Sequence, residues 1–384
     1  MIYLDHAAST VPFAEVGELY KTSVSLFGNP SSVHSFGRDA RAALDETKLV
    51  LSSEFEAKTE EIIFTSGATE AMHLAIIGHY LSRRSRNESG RGVVYTSPLV
   101  HSCVWSALHF LEKNFSVTIK LLPITDKGFL DLAAMGEDLF NSDLIVTEFG
   151  NSELGLLQPV AKLGKMINKW HSENKDAPKP AFVVDAAAAI VTEKITLDYQ
   201  VCDFITVSAE KFGGLKGSGV LLRRVNVGLN SIIGGSHELG YRGGTENVTG
   251  ALALGTALKL HSEQRSVNRE QFLGFQQYLR TWFENNYPDI KITTPIENTL
   301  PHVFHFILPT SQAALFVAQA DLAGLAISAG SACSSGTTTA SKVLLHLDLS
   351  EIEAERGIRI SFGRTTTQAE IDEAFKIMAS LLKK

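Results

Sequence analysis

Residues 181–189 read AFVVDAAAA and residues 202–222 read CDFITVSAEKFGGLKGSGVLL. Each stretch contains an apolar run typical of a buried strand, and the two runs end at polar residues, Asp185 and Ser208. Similar apolar runs, followed by turns and helical patterns, occur within 60–81, where a strand is expected at 62–65, and within 93–112 and 143–155. Strands that alternate with helices predict an α/β protein with a mainly parallel sheet, in which ligands bind at the carboxyl ends of the strands.

The pattern changes after about residue 250, which indicates a second, smaller α+β domain. We expect a large domain over residues 12–250 and a small domain formed by residues 1–11 and 251–384. The expected elements of the later region are a long helix over 247–285, strands near 289–294 and 302–307, a helix near 311–323, a strand at 357–363 and a final helix from about 368. The polar stretches 82–91 and 172–180 are expected to be solvated loops.

Composition excludes several classes of protein. The chain has 384 residues and a formal net charge of −7, which gives no electrostatic reason to expect nucleic acid. Three distant cysteines fit neither a disulfide framework nor a zinc ribbon, and they favour a reducing compartment. The apolar runs are shorter than the roughly 20 residues of a membrane span, and the opening MIYLDHAAST lacks the pattern of a signal peptide. We therefore expect a cytoplasmic protein without a metal site.

Three polar groups follow predicted strands. TSGATE (65–70) offers small residues and backbone amides at the start of a helix, which suits a phosphate group but also an ordinary helix cap. Asp185 is either a cap or the partner of a cation. Lys211 follows a buried strand, where a lysine is costly unless it is paired or used covalently. Together a lysine, an aspartate and a phosphate cradle are the groups that pyridoxal 5'-phosphate requires.

A separate feature is the segment ISAGSACSSGTTTASK (327–342), which contains Cys333 among Gly, Ala, Ser and Thr. Such a segment buries little apolar area, whereas a packing cysteine prefers an apolar interior. Cys333 is therefore either an accessible reactive thiol or an ordinary loop cysteine. Cys103 and Cys202 stand beside apolar runs and are predicted to be packing residues.

Nine segments, in order along nearly the whole chain, resemble the class V aminotransferase family, and within it the NifS/IscS-like cysteine desulfurases. The segments are YLDHAAST, GNPSSVHSFG, IIFTSGATEA, NSELGLLQPV, VVDAAAA, VSAEKFGGLKGSGVLL, GGSHELGYRGGTENV, SAGSACSS and IRISFGRTTT. The resemblance implies the type I fold of pyridoxal-phosphate enzymes, built as a homodimer with two domains in each subunit.

The resemblance also implies a role for individual residues. Lys211 would form the Schiff base with the cofactor, Asp185 would hold its ring nitrogen, and His101 would stack on its ring and move protons. The implied cofactor contacts are Ala68, Thr69, Ser152, Asp185, Ser208, Lys211 and, across the dimer interface, Thr245. Arg359 and Asn29 would bind the substrate. Cys333 would be the nucleophile that takes sulfur from L-cysteine as a persulfide, leaves L-alanine, and passes the sulfur to an acceptor or scaffold protein, as in iron–sulfur cluster assembly.

Three positions around the implied cofactor depart from the family pattern. Ala188 stands in place of a glutamine, Ser152 in place of an asparagine and Glu210 in place of a histidine. These departures leave three alternatives open. The chain could be an active cysteine desulfurase or selenocysteine lyase, a non-catalytic relative that acts as a binding partner, or another class V lyase or aminotransferase.

Overall fold

The computed structural model describes residues 1–86, 91–330 and 340–382. The strands of these residues are β1 (Ile2–Tyr3), β2 (Ile62–Thr65), β3 (Val93–Thr96), β4 (Thr118–Leu121), β5 (Leu144–Glu148), β6 (Ala181–Asp185), β7 (Phe204–Ser208), β8 (Gly219–Arg223), β9 (Lys291–Ile292), β10 (Val303–Ile307), β11 (Leu325–Ala326), β12 (Ser328–Ala329) and β13 (Gly357–Ser361). The helices are α1 (Ala14–Ser23), α2 (Ser35–Phe55), α3 (Ala68–His73), α4 (His79–Ser85), α5 (Ser102–Phe115), α6 (Val160–Glu173), α7 (Leu197–Gln200), α8 (Val248–Asn286), α9 (Ala313–Leu322), α10 (Lys342–Leu345), α11 (Glu351–Ala354) and α12 (Gln368–Leu382). No described helix combines the length and the apolar character needed to cross a membrane.

The largest sheet has seven strands in the order β2-β8-β7-β6-β5-β3-β4. Strands β4, β3, β5, β6 and β7 pair in parallel, whereas β8 runs antiparallel to both β7 and β2. Every residue of β5, β6, β7 and β8 is buried, because helices cover both faces of the sheet and apolar side chains point to each. The predicted α/β class with a mainly parallel sheet is confirmed.

This topology brings six strand ends to one edge of the sheet. Since β2 and β7 both run antiparallel to β8, the carboxyl ends of all strands of this sheet except β8 lie at the same edge. In sheets of this kind ligands bind outside these ends. The edge carries Thr65, Glu148, Asp185 and Ser208, each the last residue of its strand.

A four-stranded antiparallel sheet, β12-β13-β10-β9, lies in the later part of the chain. Its core is rich in phenylalanine and includes Leu4 from the first residues of the chain. Helix α8 connects the two cores: Leu254 and Leu258 pack in the core of the large sheet, whereas Phe272 and Phe283 pack in the smaller one. The division into residues 12–250 and residues 1–11 with 251–384 stays a prediction.

One local expectation was wrong. The polar stretch 82–91 resembles a solvated loop, but Ser82 and Arg83 are buried within α4. Arg83 lies 3.2 Å from the buried carboxylate of Asp143, and this charge pairing allows an arginine to enter the interior. The distant partner has no local signal in the sequence.

Candidate active site

Lys211 lies at the edge of the large sheet where the strands end. It closes a single helical turn, Ala209–Lys211, that follows β7 directly. Its Nζ donates hydrogen bonds to the backbone carbonyls of Ala7 (2.9 Å) and Ala8 (2.8 Å). The N-terminal segment therefore reaches across the molecule to orient the lysine at the expected ligand-binding edge.

Asp185 ends the neighbouring strand β6 and is buried. Its Oδ1 accepts hydrogen bonds from the backbone N–H of Ala187 (3.0 Å) and from the Thr206 hydroxyl (3.3 Å). Hydrogen bonds of this kind fix the direction of a carboxylate. Because β6 and β7 are adjacent in the sheet, Asp185 and Lys211 extend from neighbouring strand ends.

The predicted phosphate cradle is formed by the turn between β2 and α3 together with Ser208. Gly67 has a φ of 151° and precedes the first two residues of α3, Ala68 and Thr69. A Cβ at Gly67 would lie 3.3 Å from the Ser208 hydroxyl oxygen, so this turn and the end of β7 approach each other closely. The backbone N–H groups that open a helix lack intrahelical partners. Together with the Ser208 hydroxyl they form a donor set that suits an anion.

Glu210 projects into the same region. Its Oε2 accepts a hydrogen bond of 2.6 Å from the Ser208 hydroxyl. Glu210, which stands where the family has a histidine, thus places a carboxylate against Ser208, a predicted phosphate ligand. A carboxylate at this position opposes a phosphate dianion electrostatically.

Arg359, on β13, is buried and makes two contacts with distant parts of the chain. Its Nη2 lies 2.8 Å from Asp5 Oδ1, and its Nη1 donates to the backbone carbonyl of Ser152 (3.1 Å). Its Nε is buried and has no hydrogen-bond partner in the described parts of the chain. The structure therefore brings Arg359 and Ser152 together and adds Asp5, which the sequence reasoning did not single out. The only sequence signal for Asp5 is its position in the motif YLDHAAST.

Three further predicted residues, His101, Asn29 and Thr245, are exposed in the single chain. His101 precedes α5, where its Nδ1 accepts a hydrogen bond from the Cys103 N–H (3.3 Å). Asn29 and Thr245 are exposed, and in the described part of the chain neither forms a hydrogen bond with another predicted site residue. Cys333 lies outside the described residues. Cys103 and Cys202 are buried, as predicted.

Glu148 was also missed by the sequence reasoning. It ends β5 beside Asp185 and is buried. Its carboxyl group accepts hydrogen bonds from the Gln158 amide (3.1 Å) and the Ser97 hydroxyl (3.3 Å). Burial raises its pKa to about 7, and the charge of Asp185 acts in the same direction. An acidic residue at the end of an apolar strand, as at Asp185, is the signal that could have identified it.

Among the described residues, no group of three or more His, Cys, Asp or Glu side chains could hold a metal ion. The site is therefore defined by a lysine, several carboxylates, an arginine and an anion cradle.

Comparisons with known proteins extend over the whole chain. The family model described as aminotransferase class V matches residues 2–374. The IscS 1 protein of Bacillus subtilis (strain 168) is 34% identical over 392 aligned residues, which cover 100% of this chain and 99% of that protein. The cysteine desulfurase IscS of Dictyoglomus turgidum is 31% identical over 387 residues, covering 100% of this chain and 95% of its own.

A solved structure of a NifS-like protein is similar to this chain over its full length. The X-ray structure of a NifS-like protein from Rickettsia africae covers 100% of both chains with a TM-score of 0.86 and 27% sequence identity. The chain thus belongs to the class V aminotransferase family and, within it, to the IscS- and NifS-like cysteine desulfurases.

Proposed function

We propose that this protein is a pyridoxal-phosphate-dependent cysteine desulfurase, which takes the sulfur of L-cysteine onto Cys333 and releases L-alanine. One observation carries the proposal. Lys211 and Asp185 extend from neighbouring strand ends beside an anion cradle, in a chain that matches a cysteine desulfurase over its full length.

The residues present fit the cofactor. Asp185 is a buried carboxylate held by two donors, which suits a protonated ring nitrogen. Lys211 closes the helical turn that directly follows β7 at the same edge of the sheet. The residues proposed to hold the cofactor are Ala68, Thr69, Ser152, Asp185, Ser208, Lys211 and, from a second copy of the chain, Thr245. Bound pyridoxal phosphate supplies an electron sink for bonds at the substrate α-carbon.

Lys211 and Arg359 would act on the substrate in different ways. The carbonyls of Ala7 and Ala8 hold the Lys211 amine in place, so it can accept or release a proton at a fixed position. The guanidinium of Arg359 matches a carboxylate in shape and charge. Its Nε, which has no hydrogen-bond partner among the described residues, leaves a buried donor available for the substrate carboxylate, with Asn29 as a further contact.

Sulfur transfer to Cys333 balances without a further reactant. The Cys333 thiolate forms a bond to the substrate sulfur while the carbon–sulfur bond breaks. The electron pair of the broken bond remains on the β-carbon of the substrate. This carbon takes the proton of the substrate thiol, so the products are alanine and a persulfide anion on Cys333. A sulfur-acceptor or scaffold protein would then receive this sulfur. The cytoplasmic location that composition favours stays a prediction.

The test is to supply the purified protein with pyridoxal phosphate, L-cysteine and a reductant, and to measure alanine and sulfide together. We expect equal amounts of both. Cys333→Ala should retain the absorbance of lysine-bound cofactor and lose persulfide formation. Lys211→Ala should lose that absorbance, with Lys216→Ala as the matched control that keeps it. Sulfide release by Cys333→Ala at the unmodified rate would contradict the assignment of the nucleophile.

A second function is favoured by one observation, the hydrogen bond that the Glu210 carboxylate accepts from the Ser208 hydroxyl. If this contact prevents cofactor binding, the protein is a non-catalytic binding partner that keeps the family fold. Equilibrium dialysis with pyridoxal phosphate separates the two functions: binding of about one cofactor per chain supports the desulfurase, and no binding at millimolar cofactor supports the partner.

A further inference from the structure

A small cavity borders Lys211 and lies between the N-terminal segment, helix α8 and the end of β13. It offers about 20 Å³ to the centres of water-sized molecules, more than the roughly 10–15 Å³ that one water requires. Its polar lining includes His6, Lys211, His261, Asn268, His302 and Arg364, and aromatic side chains form much of the rest.

Within the described part of the chain, two residues of this lining carry buried polar atoms without partners. His302 is 1% exposed, and neither of its ring nitrogens has a hydrogen-bond partner among residues 1–86, 91–330 and 340–382. Burial, with Arg359 as the largest charge effect, lowers the pKa of His302 to about 3, so the neutral ring presents one N–H donor. The Nε of Arg364 is likewise buried and has no hydrogen-bond partner among the residues that the structure describes. A buried donor without a partner is costly, which indicates that a ligand completes the site.

The charges around the cavity have one sign. Lys211 and Arg364 are cations, and no aspartate or glutamate occurs among the lining residues within the described part of the chain. The charge of Glu15 favours the protonated form of Arg364, and the charges of Glu370 and Asp5 favour that of His6. These three carboxylates lie outside the lining. A site with unpaired donors and positive charge favours an acceptor with negative charge over a neutral molecule.

We propose that this cavity, bordered by His302, Arg364 and Lys211, is a binding site for one small monovalent anion of halide size. The anion would accept hydrogen bonds from the His302 ring and from Arg364 Nε. It would also lie beside the lysine on which the proposed function depends, although the inference itself does not rest on that function.

Bromide is the probe, because it has the charge and nearly the size of chloride and scatters X-rays anomalously. Crystals of the full chain soaked in sodium bromide should show an anomalous peak in the cavity between His302 and Arg364. A cavity that contains only water under these conditions would overturn the proposal. This measurement uses the unmodified protein and therefore does not depend on any variant folding.

A solution measurement uses two buried histidines as a matched pair. His302 borders the cavity, whereas His305, on β10, is equally buried and has an unpartnered Nε2 but does not border it. Replacing sodium gluconate by sodium bromide at constant ionic strength should raise the Tm of the unmodified chain by about 2 °C or more. His305→Asn should keep this shift and His302→Asn should lose it. An equal shift in both variants, or none in the unmodified chain, would contradict the site.

Discussion

Glu210 is the residue at which the chemistry of the proposed cofactor and the structure conflict most directly. Its carboxylate accepts the hydrogen bond that the Ser208 hydroxyl would otherwise donate to a phosphate group. We predict that Glu210→His tightens binding of pyridoxal phosphate by about tenfold or more, because a hydrogen bond to a charged group contributes about 1.5–3 kcal/mol. The measurement is the cofactor dissociation constant of the cofactor-free protein.

The control for this prediction is Glu210→Gln, which removes the negative charge without adding a cationic donor. We expect an intermediate dissociation constant for this variant. Unchanged affinity in both variants would mean that Glu210 turns away when the cofactor binds, and that the departure from the family pattern is compensated locally.

Glu148 gives a prediction about stability against pH. Burial raises its pKa to about 7 from 4.5, so the stabilising contribution of the neutral form is complete below pH 4.5 and is lost as the pH rises through 7. The lost contribution is roughly 3 kcal/mol, from a shift of about 2.5 pKa units. Glu148→Gln keeps an acceptor for Ser97 and Gln158 but cannot ionise. Its Tm should exceed that of the unmodified chain at pH 8 and match it at pH 4.5; the same gain at both values would show a packing effect instead.

At the scale of elements, helix α8 contains two glycines in different surroundings. A Cβ at Gly255 would lie 2.8 Å from Cγ2 of Thr47 on α2, whereas a Cβ at Gly274 would meet nothing within 4 Å. Alanine is favoured over glycine in a helix by about 1 kcal/mol. We therefore predict that Gly274→Ala raises the Tm and that Gly255→Ala lowers it, because the second change forces α2 and α8 apart. Thermal unfolding of the two variants measures this directly, and equal gains would show that the contact between the helices adjusts without cost.

The elements themselves were largely predictable from local sequence patterns. The strand at 62–65 and the ends of β6 and β7 at Asp185 and Ser208 match the sequence prediction, because a run of apolar residues followed by a polar one is a local signal. Contacts between distant segments were not predictable in this way. Asp5 meets Arg359 across 354 positions of the chain, and no pattern within either segment indicates the other.

In the candidate site, too, the identity of individual residues could be predicted from the sequence, whereas their contacts could not. The identities of Lys211 and Asp185 follow from their positions after buried strands, together with the family resemblance. The hydrogen bond between Ser208 and Glu210, and the partners of Glu148, depend on how strand ends are arranged in the sheet. Sequence spacing alone does not contain that arrangement.

At the scale of the whole molecule, buried histidines predict how the fold responds to acid. Burial lowers the pKa of His302 and His305 to about 3, and that of His6 and His261 to about 4. Unfolding restores ordinary values near 6.5, so their contribution to stability is complete above pH 6.5 and is lost as the pH falls towards the folded-state values. Each histidine should cost about 2 kcal/mol by pH 5.

The measurement for this prediction is the free energy of unfolding between pH 7 and pH 5. His305→Asn should make its slope shallower by about 1.4 kcal/mol per pH unit near pH 5, since one proton fewer is taken up on unfolding. An unchanged slope would mean that His305 remains inaccessible to protons in the unfolded ensemble or is protonated in the fold.

The exposed apolar surface near the start of the chain supports the predicted homodimer. Phe27 and Val33 are 73% and 89% exposed, and the rings of Phe27 and Phe36 lie 5.0 Å apart. Asn29 is exposed and stands two residues after Phe27, and among the described residues it forms no hydrogen bond with another predicted site residue. Apolar patches of this kind mark interfaces, so we predict that a second copy covers this surface.

We therefore predict that Phe27→Glu converts the dimer to a monomer in sedimentation equilibrium, because a carboxylate buried at an apolar interface without a partner is strongly unfavourable. Ile352→Glu is the control, since Ile352 is also an exposed apolar residue but lies on α11, outside the patch. The monomer should release less alanine from L-cysteine than the control does, because Thr245 would no longer reach a second site. A Phe27→Glu protein that stays dimeric would assign the interface to another surface. A monomer with full activity would remove Thr245 from the site.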